Sequence, residues 1–196
     1  MPDETVYLSH GMEKDDDATK RHALGTRGVL PDGKIFRYAL NGATALEAGR
    51  LLQSPAQIND GDWDMDLPVE STHGEGGSTI GSRRIPILAS SALTSALAAD
   101  AFQDGWLAVN DGPGEGHVYR ISSHPAYSTG DTVGTVLVVD LAYDDEIVST
   151  NMSTASLVGL IQSPYLDVIE YGFAAAAAQI VGVACSSVAA SRYFWA

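Results

Sequence analysis

Residues 28–55 read GVLPDGKIFRYALNGATALEAGRLLQSP, in which two runs of strand-forming residues are separated and bounded by turn formers. Asp32 and Gly33 predict a turn, because glycine adopts positive φ without a steric penalty. Aromatic and β-branched residues dominate the following run, 34–40, and predict a strand. The same alternation of short strands and turns recurs along the rest of the chain.

Asn41 and Gly42 form the strongest two-residue hairpin signal in the sequence. They predict that 43–53 returns antiparallel to the first strand, with a bulge or tight bend at Gly49. A helix over 43–53 is the competing prediction, because the segment contains Ala, Leu and Glu.

Further apolar runs bounded by Gly, Pro, Asn and Asp predict additional strands. Residues 104–121 predict a hairpin whose turn is 110–114. Pro86 confines the strand predicted over 84–89 to a sheet edge or a bulge. The chain is therefore predicted to be mainly β, an antiparallel barrel or sandwich of about nine or ten short strands with at most one or two short helices. The other predicted strands are 63–67, 84–89, 132–143, 147–158, 168–173, 180–184 and 187–195.

Two segments leave the helical content open. Residues 89–102 place Ala92, Leu93, Ala96, Leu97 and Ala101 on a helical stripe, although the neighbouring segments all favour strands. The alanine run 174–178 predicts either one helical turn or a loop.

The N-terminal residues 1–27 are rich in Asp and Glu and contain few large apolar side chains. Such a segment cannot bury enough apolar surface to fold alone, so it is predicted to be an extended arm. The arm either lies across a neighbouring subunit or is a floppy tail. Residues 28–196 are predicted to form a single β-rich domain, since a chain of 196 residues can bury a substantial core.

The formal net charge of −14, from 25 acidic and 11 basic residues, argues against nucleic acid as a partner. Phosphate binding needs clustered Lys and Arg, and the only local basic pairs are Lys20-Arg21 and Arg83-Arg84. The same charge argues against an anionic membrane surface.

The single cysteine, Cys185, excludes an intrachain disulfide and is predicted to be a small buried hydrophobe, because it lies in an apolar run. No signal-peptide pattern or long apolar span is visible, so the chain is expected to be made in the cytoplasm and not exported by that route.

Patterns for metal or phosphate chemistry are incomplete. The ladder of Asp60, Asp62, Asp64 and Asp66 with Glu70 lacks the Gly and Glu that an EF-hand loop requires, and a solvated acidic face is the favoured interpretation. The glycine-rich run 112–116 lacks the Lys-Ser/Thr of a phosphate-binding loop and is predicted to be a hairpin turn. The histidines form no HxH or HxxxH pair, although His117 and His124 could meet near a hairpin end.

Patterns for hydrolytic chemistry are equally incomplete. No GxSxG string occurs, and close carboxylate pairs are uninformative in so acidic a chain. The terminal aromatics Tyr193, Phe194 and Trp195 are predicted to close a core or an interface, with stacking on sugar as the alternative. The sequence therefore predicts a non-enzymatic protein, with no catalytic, cofactor-binding or metal-binding residue assigned.

Three segments resemble a family of tailed-bacteriophage structural proteins, usually seen as capsid decoration, or cement, proteins. They are 28–55, the hairpin DGWLAVNDGPGEGHVYRI at 104–121, and the terminal GVACSSVAASRYFWA at 182–196. The family shows a "DGR-F-YA" strand, a "DG-L-V-DG-GEG--YRI" hairpin and a terminal "YFW" strand in this order, and Lys34 and His117 are local variants.

The resemblance implies a β-rich protein on the outer surface of an icosahedral virion, bound to the major capsid protein. It also implies a trimer or another small homo-oligomer at a symmetry axis. Three alternatives remain open from the sequence: a tail- or fibre-associated protein that binds host glycan, a glycan hydrolase on a β-scaffold, and a cellular β-domain of unknown partner.

Overall fold

The computed structural model describes residues 5–56, 63, 66–70, 78–88, 96–128, 135–172 and 178–196. These residues form fourteen strands and one short 3-10 helix, Met12–Lys14, so the mainly β prediction is confirmed. The strands outnumber the predicted nine or ten because several contain only two or three residues. Among the described residues, no helix reaches the length and apolar character that crossing a membrane requires.

In chain order the strands are β1 (Thr5–Tyr7), β2 (Asp16–Asp17), β3 (Arg27–Val29), β4 (Ile35–Leu40), β5 (Leu51–Gln53), β6 (Leu67–Pro68), β7 (Arg84–Leu88), β8 (Trp106–Asp111), β9 (Val118–Ser123), β10 (Val136–Leu141), β11 (Leu157–Ile161), β12 (Ile169–Glu170), β13 (Ile180–Val183) and β14 (Tyr193–Trp195). The chain divides into two compact units. The first unit contains Met1–Gln57 and Ser163–Ala196, and the second contains Ile58–Gln162. The prediction of a single β-rich domain over 28–196 stays a prediction.

The first unit contains a five-stranded sheet in the order β1-β3-β4-β14-β2 and a three-stranded sheet in the order β12-β5-β13. The segment predicted as an arm contributes β1, which pairs parallel with β3, and β2, which pairs antiparallel with β14. Leu8 and Leu24 are buried. From Thr5 onward, the N-terminal segment therefore packs against its own chain.

The hairpin predicted at Asn41-Gly42 is wrong, because β4 pairs with β3 and β14 and not with residues 43–53. Asn41 is buried, and its side-chain Nδ2 donates to the carbonyls of Thr44 at 3.0 Å and Ala189 at 2.8 Å. The side chain thus ties together two distant backbone segments, and the C-terminal strand occupies the edge of β4 that a hairpin would need.

The competing helix over 43–53 does not form either. Leu46 makes an isolated antiparallel bridge with Val188, and β5 pairs with β12 and β13. The bend predicted at Gly49 is confirmed, with a φ of 79°.

The terminal aromatic strand β14 joins two cores of the first unit, because successive side chains on a strand point to opposite faces. Phe194 packs in one cluster with Ala39 and Leu52. Trp195 packs in the other with Tyr38, while Tyr193 lies against that second cluster. The prediction that these aromatics close a core is confirmed.

The second unit contains a six-stranded antiparallel sheet in the order β6-β11-β8-β9-β10-β7. Val69, which follows β6, bridges Ile87 of β7, so the two ends of the sheet approach each other and the sheet is barrel-like. Its inward side chains, such as Ile121, form one buried cluster with Trp63 and Phe102, which lie outside the strands. The predicted hairpin over 104–121 and the end position of the strand containing Pro86 are both confirmed.

Other local predictions have mixed outcomes. The strand predicted over 147–158 begins only at Leu157, and Ile147 and Met152 reach the core from a non-strand segment. Residues 96–102 are not helical, because Leu97 bridges Tyr127 and a turn follows. The rest of the helix predicted over 89–102 and most of the alanine run 174–178 lie outside the described residues.

Candidate interaction surfaces

The outer surface of the second unit carries an apolar patch on three adjacent strands. The register places Trp106 between Ile161 and Arg120, and Ala108 between Gly159 and Val118. Val118 is 56% exposed, Ile161 44% and Trp106 37%. We call this surface the β8 face, and its members are Trp106, Ala108, Val118, Arg120 and Ile161.

The β8 face arises from strand alternation. Leu107 and Val109 point into the barrel core, so the residues between them point outward. Trp106 and Val118 are exposed on this face, whereas Gly159 of β11 is buried. An exposed apolar sheet face with an aromatic side chain is typical of protein contact sites.

The turn that joins β8 and β9 holds this face in place. Gly112 has a φ of 76°, and a Cβ there would overlap the carbonyl oxygen of Ala155. The Ser156 hydroxyl donates to the Pro113 carbonyl at 2.7 Å, which fastens the turn to the segment before β11. The glycine-rich run is thus a hairpin turn, as the sequence predicted.

His117 and His124 do not meet, because they flank opposite ends of β9 and extended backbone spans roughly 3.3 Å per residue. His117 Nδ1 lies 2.9 Å from the Gly114 carbonyl oxygen, and its Nε2 lies 2.7 Å from the Ser149 hydroxyl. This spacing suits a serine and a base, but neither residue lines a described cavity. Within the described part of the chain, no cluster of three metal-ligating side chains occurs.

The predicted burial of Cys185 is wrong, because the thiol side chain is exposed. The preceding residue, Ala184, fills the core position instead and is fully buried. Of the predicted acidic ladder, Asp66 accepts a hydrogen bond from Asn110 at 2.8 Å. Asp60, Asp62 and Asp64 lie outside the described residues.

A cleft of about 510 Å³ in the first unit is lined by residues 44–47, Arg50, Ile169 and Glu170. Its charged groups are engaged with one another. Arg50 Nη2 lies 2.8 Å from Glu47 Oε2, and the Glu47 backbone N–H donates to Glu170 Oε1 at 2.6 Å. The charged side chains that line the cleft therefore already pair with one another.

A second, smaller cavity of about 230 Å³ lies at the β2 edge of the five-stranded sheet. We call it the aromatic groove, because both aromatic and acidic residues line it. The sequence assigned its acidic members to an arm and its aromatic members to a core, so no local pattern brought them together. Its lining residues are Met12, Asp15, Asp16, Asp17, Arg21, His22, Tyr38, Tyr193 and Trp195.

No family model, curated protein or solved structure matches this chain.

Proposed function

We propose that this chain is a non-enzymatic virion structural protein that decorates the outside of a tailed-phage capsid and stabilises it by bridging major capsid protein subunits. The observation that carries the proposal is the β8 face, an exposed apolar patch built on the hairpin 104–121. This hairpin is one of the three segments that resemble phage capsid decoration proteins. The same proposal places the protein on the capsid outer surface after synthesis in the host cytoplasm.

The composition of the β8 face supports a protein contact. Trp and Arg are enriched among the residues that dominate binding energy at protein interfaces, and both stand side by side here as Trp106 and Arg120. A standard interface uses about 20–30 residues on each side, so these few residues would form the centre of a larger contact.

A mechanical role follows from this kind of contact. A DNA-filled head is under outward pressure, and each bound bridge adds contacts that expansion of the shell has to break. Ligands that bind only the intact state stabilise it by about 2.7 kcal/mol when present at a hundredfold excess over Kd. Repetition over the shell, and self-association as a trimer or another small homo-oligomer, would multiply modest contacts through avidity.

The test uses heads assembled from the major capsid protein of the same virus. Bound stoichiometry and the melting temperature of the shell are measured with the native chain and two double variants. Trp106→Ser with Val118→Ser removes the anchors of the β8 face. Tyr143→Ser with Val148→Ser removes a more exposed aromatic residue and a similarly exposed valine elsewhere in the second unit, and circular dichroism checks that both variants fold.

We expect stoichiometric binding and a raised shell melting temperature for the native chain and the control variant. The β8-face variant should bind at least tenfold more weakly, the loss expected when a central anchor of an interface is removed. Absence of binding by the native chain, or equal binding by both variants, would overturn the proposal. Saturable binding to host polysaccharide instead would favour the tail- or fibre-associated alternative.

A further inference from the structure

The aromatic groove has a rigid wall whose geometry is set by strand register. Tyr38 lies opposite Trp195 on neighbouring strands, and their ring centroids are 5.0 Å apart. The rings of Tyr38 and Tyr193 are nearly parallel, with centroids 5.8 Å apart, and His22 packs edge-on against Tyr38 at 5.2 Å. Because Tyr38 and Trp195 belong to a buried core cluster, the wall is held in place by packing.

An acidic residue on the adjoining strand lies beside this wall. Asp17 lies directly opposite Tyr193 in the β2–β14 ladder. One of its oxygens accepts from the Thr19 backbone N–H at 3.0 Å, and the other lies 2.6 Å from Arg21 Nε. The Thr19 N–H and the Arg21 guanidinium hold the pKa of Asp17 below its ordinary value, so this carboxylate is charged at neutral pH.

The groove carries an excess of negative charge. Its lining includes three acidic residues, Asp15, Asp16 and Asp17, and one arginine, Arg21. Asp16 accepts a hydrogen bond from the Ala189 N–H at 3.2 Å. The Asp15 carboxylate makes no hydrogen bond or ion pair with any other described residue. Lys14 and Lys20, although close in sequence, do not line the cavity.

β2, the strand beside the groove, also lies at the end of its sheet. β2 is the last strand of its sheet and pairs only with β14 among the described strands. The outer edge of such a strand offers backbone N–H and C=O groups to an added extended segment. A segment that pairs there would place its side chains beside the aromatic wall.

We propose that the aromatic groove binds an arginine or lysine side chain carried on an extended segment of a partner protein. The aliphatic stem of such a side chain packs on the rings, and its cationic end meets the carboxylates and the ring faces. The net charge of −14 favours the approach of a basic partner and disfavours an anionic one. This proposal does not depend on the capsid role.

Arg21 acts as an internal competitor for the same carboxylate. Its side chain is 65% exposed, and exposed ion pairs contribute little to stability, so exchange for an external cation costs little. Removal of Arg21 should therefore strengthen binding, while neutralisation of Asp17 should weaken it.

The experiment titrates the full chain with a short, fluorescently labelled Arg/Thr peptide at low ionic strength and measures anisotropy. Peptides with Lys or Glu in place of Arg, and a neutral oligosaccharide, are titrated in parallel. The test variants are Asp17→Asn and Arg21→Gln. The controls are Glu47→Gln and Arg50→Gln, which change the same charges in another exposed ion pair of the same unit.

We expect the Arg or Lys peptide to bind and the Glu peptide not to bind. Asp17→Asn should weaken binding at least about fivefold, as for the loss of a charge-assisted hydrogen bond. Arg21→Gln should tighten binding about two- to fivefold, since an intramolecular competitor is removed. The control variants should stay within about twofold of the native chain, because their charges lie outside the groove.

Three outcomes would overturn the proposal. Failure of both basic peptides to bind would show that the groove does not bind arginine or lysine side chains. Equal weakening by Asp17→Asn and Glu47→Gln would show that only overall charge matters. Binding of the oligosaccharide in place of the peptides, with sensitivity to Tyr193→Leu, would assign the groove to a glycan.

Discussion

His124 is a buried histidine whose hydrogen bonds fix a neutral ring. Its Nε2 accepts from the Phe102 backbone N–H at 3.0 Å, so that nitrogen carries no proton. Its Nδ1 lies 2.8 Å from the Pro125 carbonyl oxygen and therefore donates. Burial lowers the pKa of His124 below 6.5, and the Pro125 carbonyl and nearby Asp100 offset this only in part.

The depressed pKa of His124 predicts a loss of stability in mild acid. Above about pH 6.5 the ring is neutral in both the folded and unfolded chains, and below that the unfolded chain binds the proton more readily. The free energy of unfolding should therefore decrease as pH falls from about 7 to 5. Urea titrations across this range should show that the free energy of unfolding changes less with pH in His124→Gln than in the native chain. His10→Gln retains His124, so its free energy of unfolding should change with pH along the native slope. An unchanged slope in His124→Gln would contradict this.

Asn41 satisfies two backbone carbonyls, those of Thr44 and Ala189, from a buried position. Asn41→Ala would leave both acceptors without this donor, so we expect a loss of about 1–3 kcal/mol in the free energy of unfolding. Chemical denaturation measures the change. Asn110→Ala, which removes an exposed amide bonded to Asp66, should cost less than about 1 kcal/mol. Equal costs for the two variants would show that Asn41 has no special structural role.

The β8–β9 hairpin depends on two glycines in its turn that differ in their surroundings. Gly112 and Gly116 both have positive φ, at 76° and 86°. A Cβ on Gly112 would overlap the backbone of Ala155, whereas a Cβ on Gly116 would have no neighbour within 4 Å. The pair therefore separates the cost of backbone strain from the cost of a steric clash.

Gly116→Ala should lower the free energy of unfolding by about 1 kcal/mol, the penalty for a side chain in the left-handed region. Gly112→Ala carries the same strain and also forces the Ala155 backbone to move, so we expect an additional loss of about 1–3 kcal/mol. Thermal denaturation of the two variants measures the difference. Melting temperatures that coincide would contradict the close contact with Ala155.

The surface charge of the whole molecule is strongly unbalanced. Several basic side chains are already engaged in ion pairs, including Arg21 with Asp17, Lys34 with Asp32 and Arg84 with Asp140. These exposed pairs contribute little to stability, because solvent screens them. Salt screens both the attraction within these pairs and the repulsion among the remaining carboxylates. We expect the relief of repulsion to be the larger effect.

Added sodium chloride should raise the melting temperature, because screening relieves the repulsion that arises from a net charge of −14. Calorimetry from low to physiological ionic strength measures the effect. A chain with Asp15→Asn and Glu146→Gln has two fewer negative charges and should respond less. A melting temperature that falls with salt would show that the ion pairs dominate.

Local patterns predicted the features that depend on neighbouring residues. The mainly β character, the hairpin at 104–121, the bend at Gly49 and the core role of the terminal aromatics all follow from turn formers and alternation within a few residues. The outward position of Trp106 follows from the same alternation. The aromatic groove could not be predicted, because two of its rings, Tyr193 and Trp195, are more than a hundred residues from its acidic residues in sequence.

Tertiary structure decided which strands pair, because pairing depends on competition among distant segments for the same edge. The local signal at Asn41-Gly42 favours a hairpin, but β14 occupies the edge of β4 and buries Phe194 and Trp195 there. Cys185 is exposed because Ala184 takes the core position in the first unit. Composition and turn chemistry therefore determine that this chain forms short strands, while burial of apolar surface between distant segments determines their partners, the division into two units and the groove.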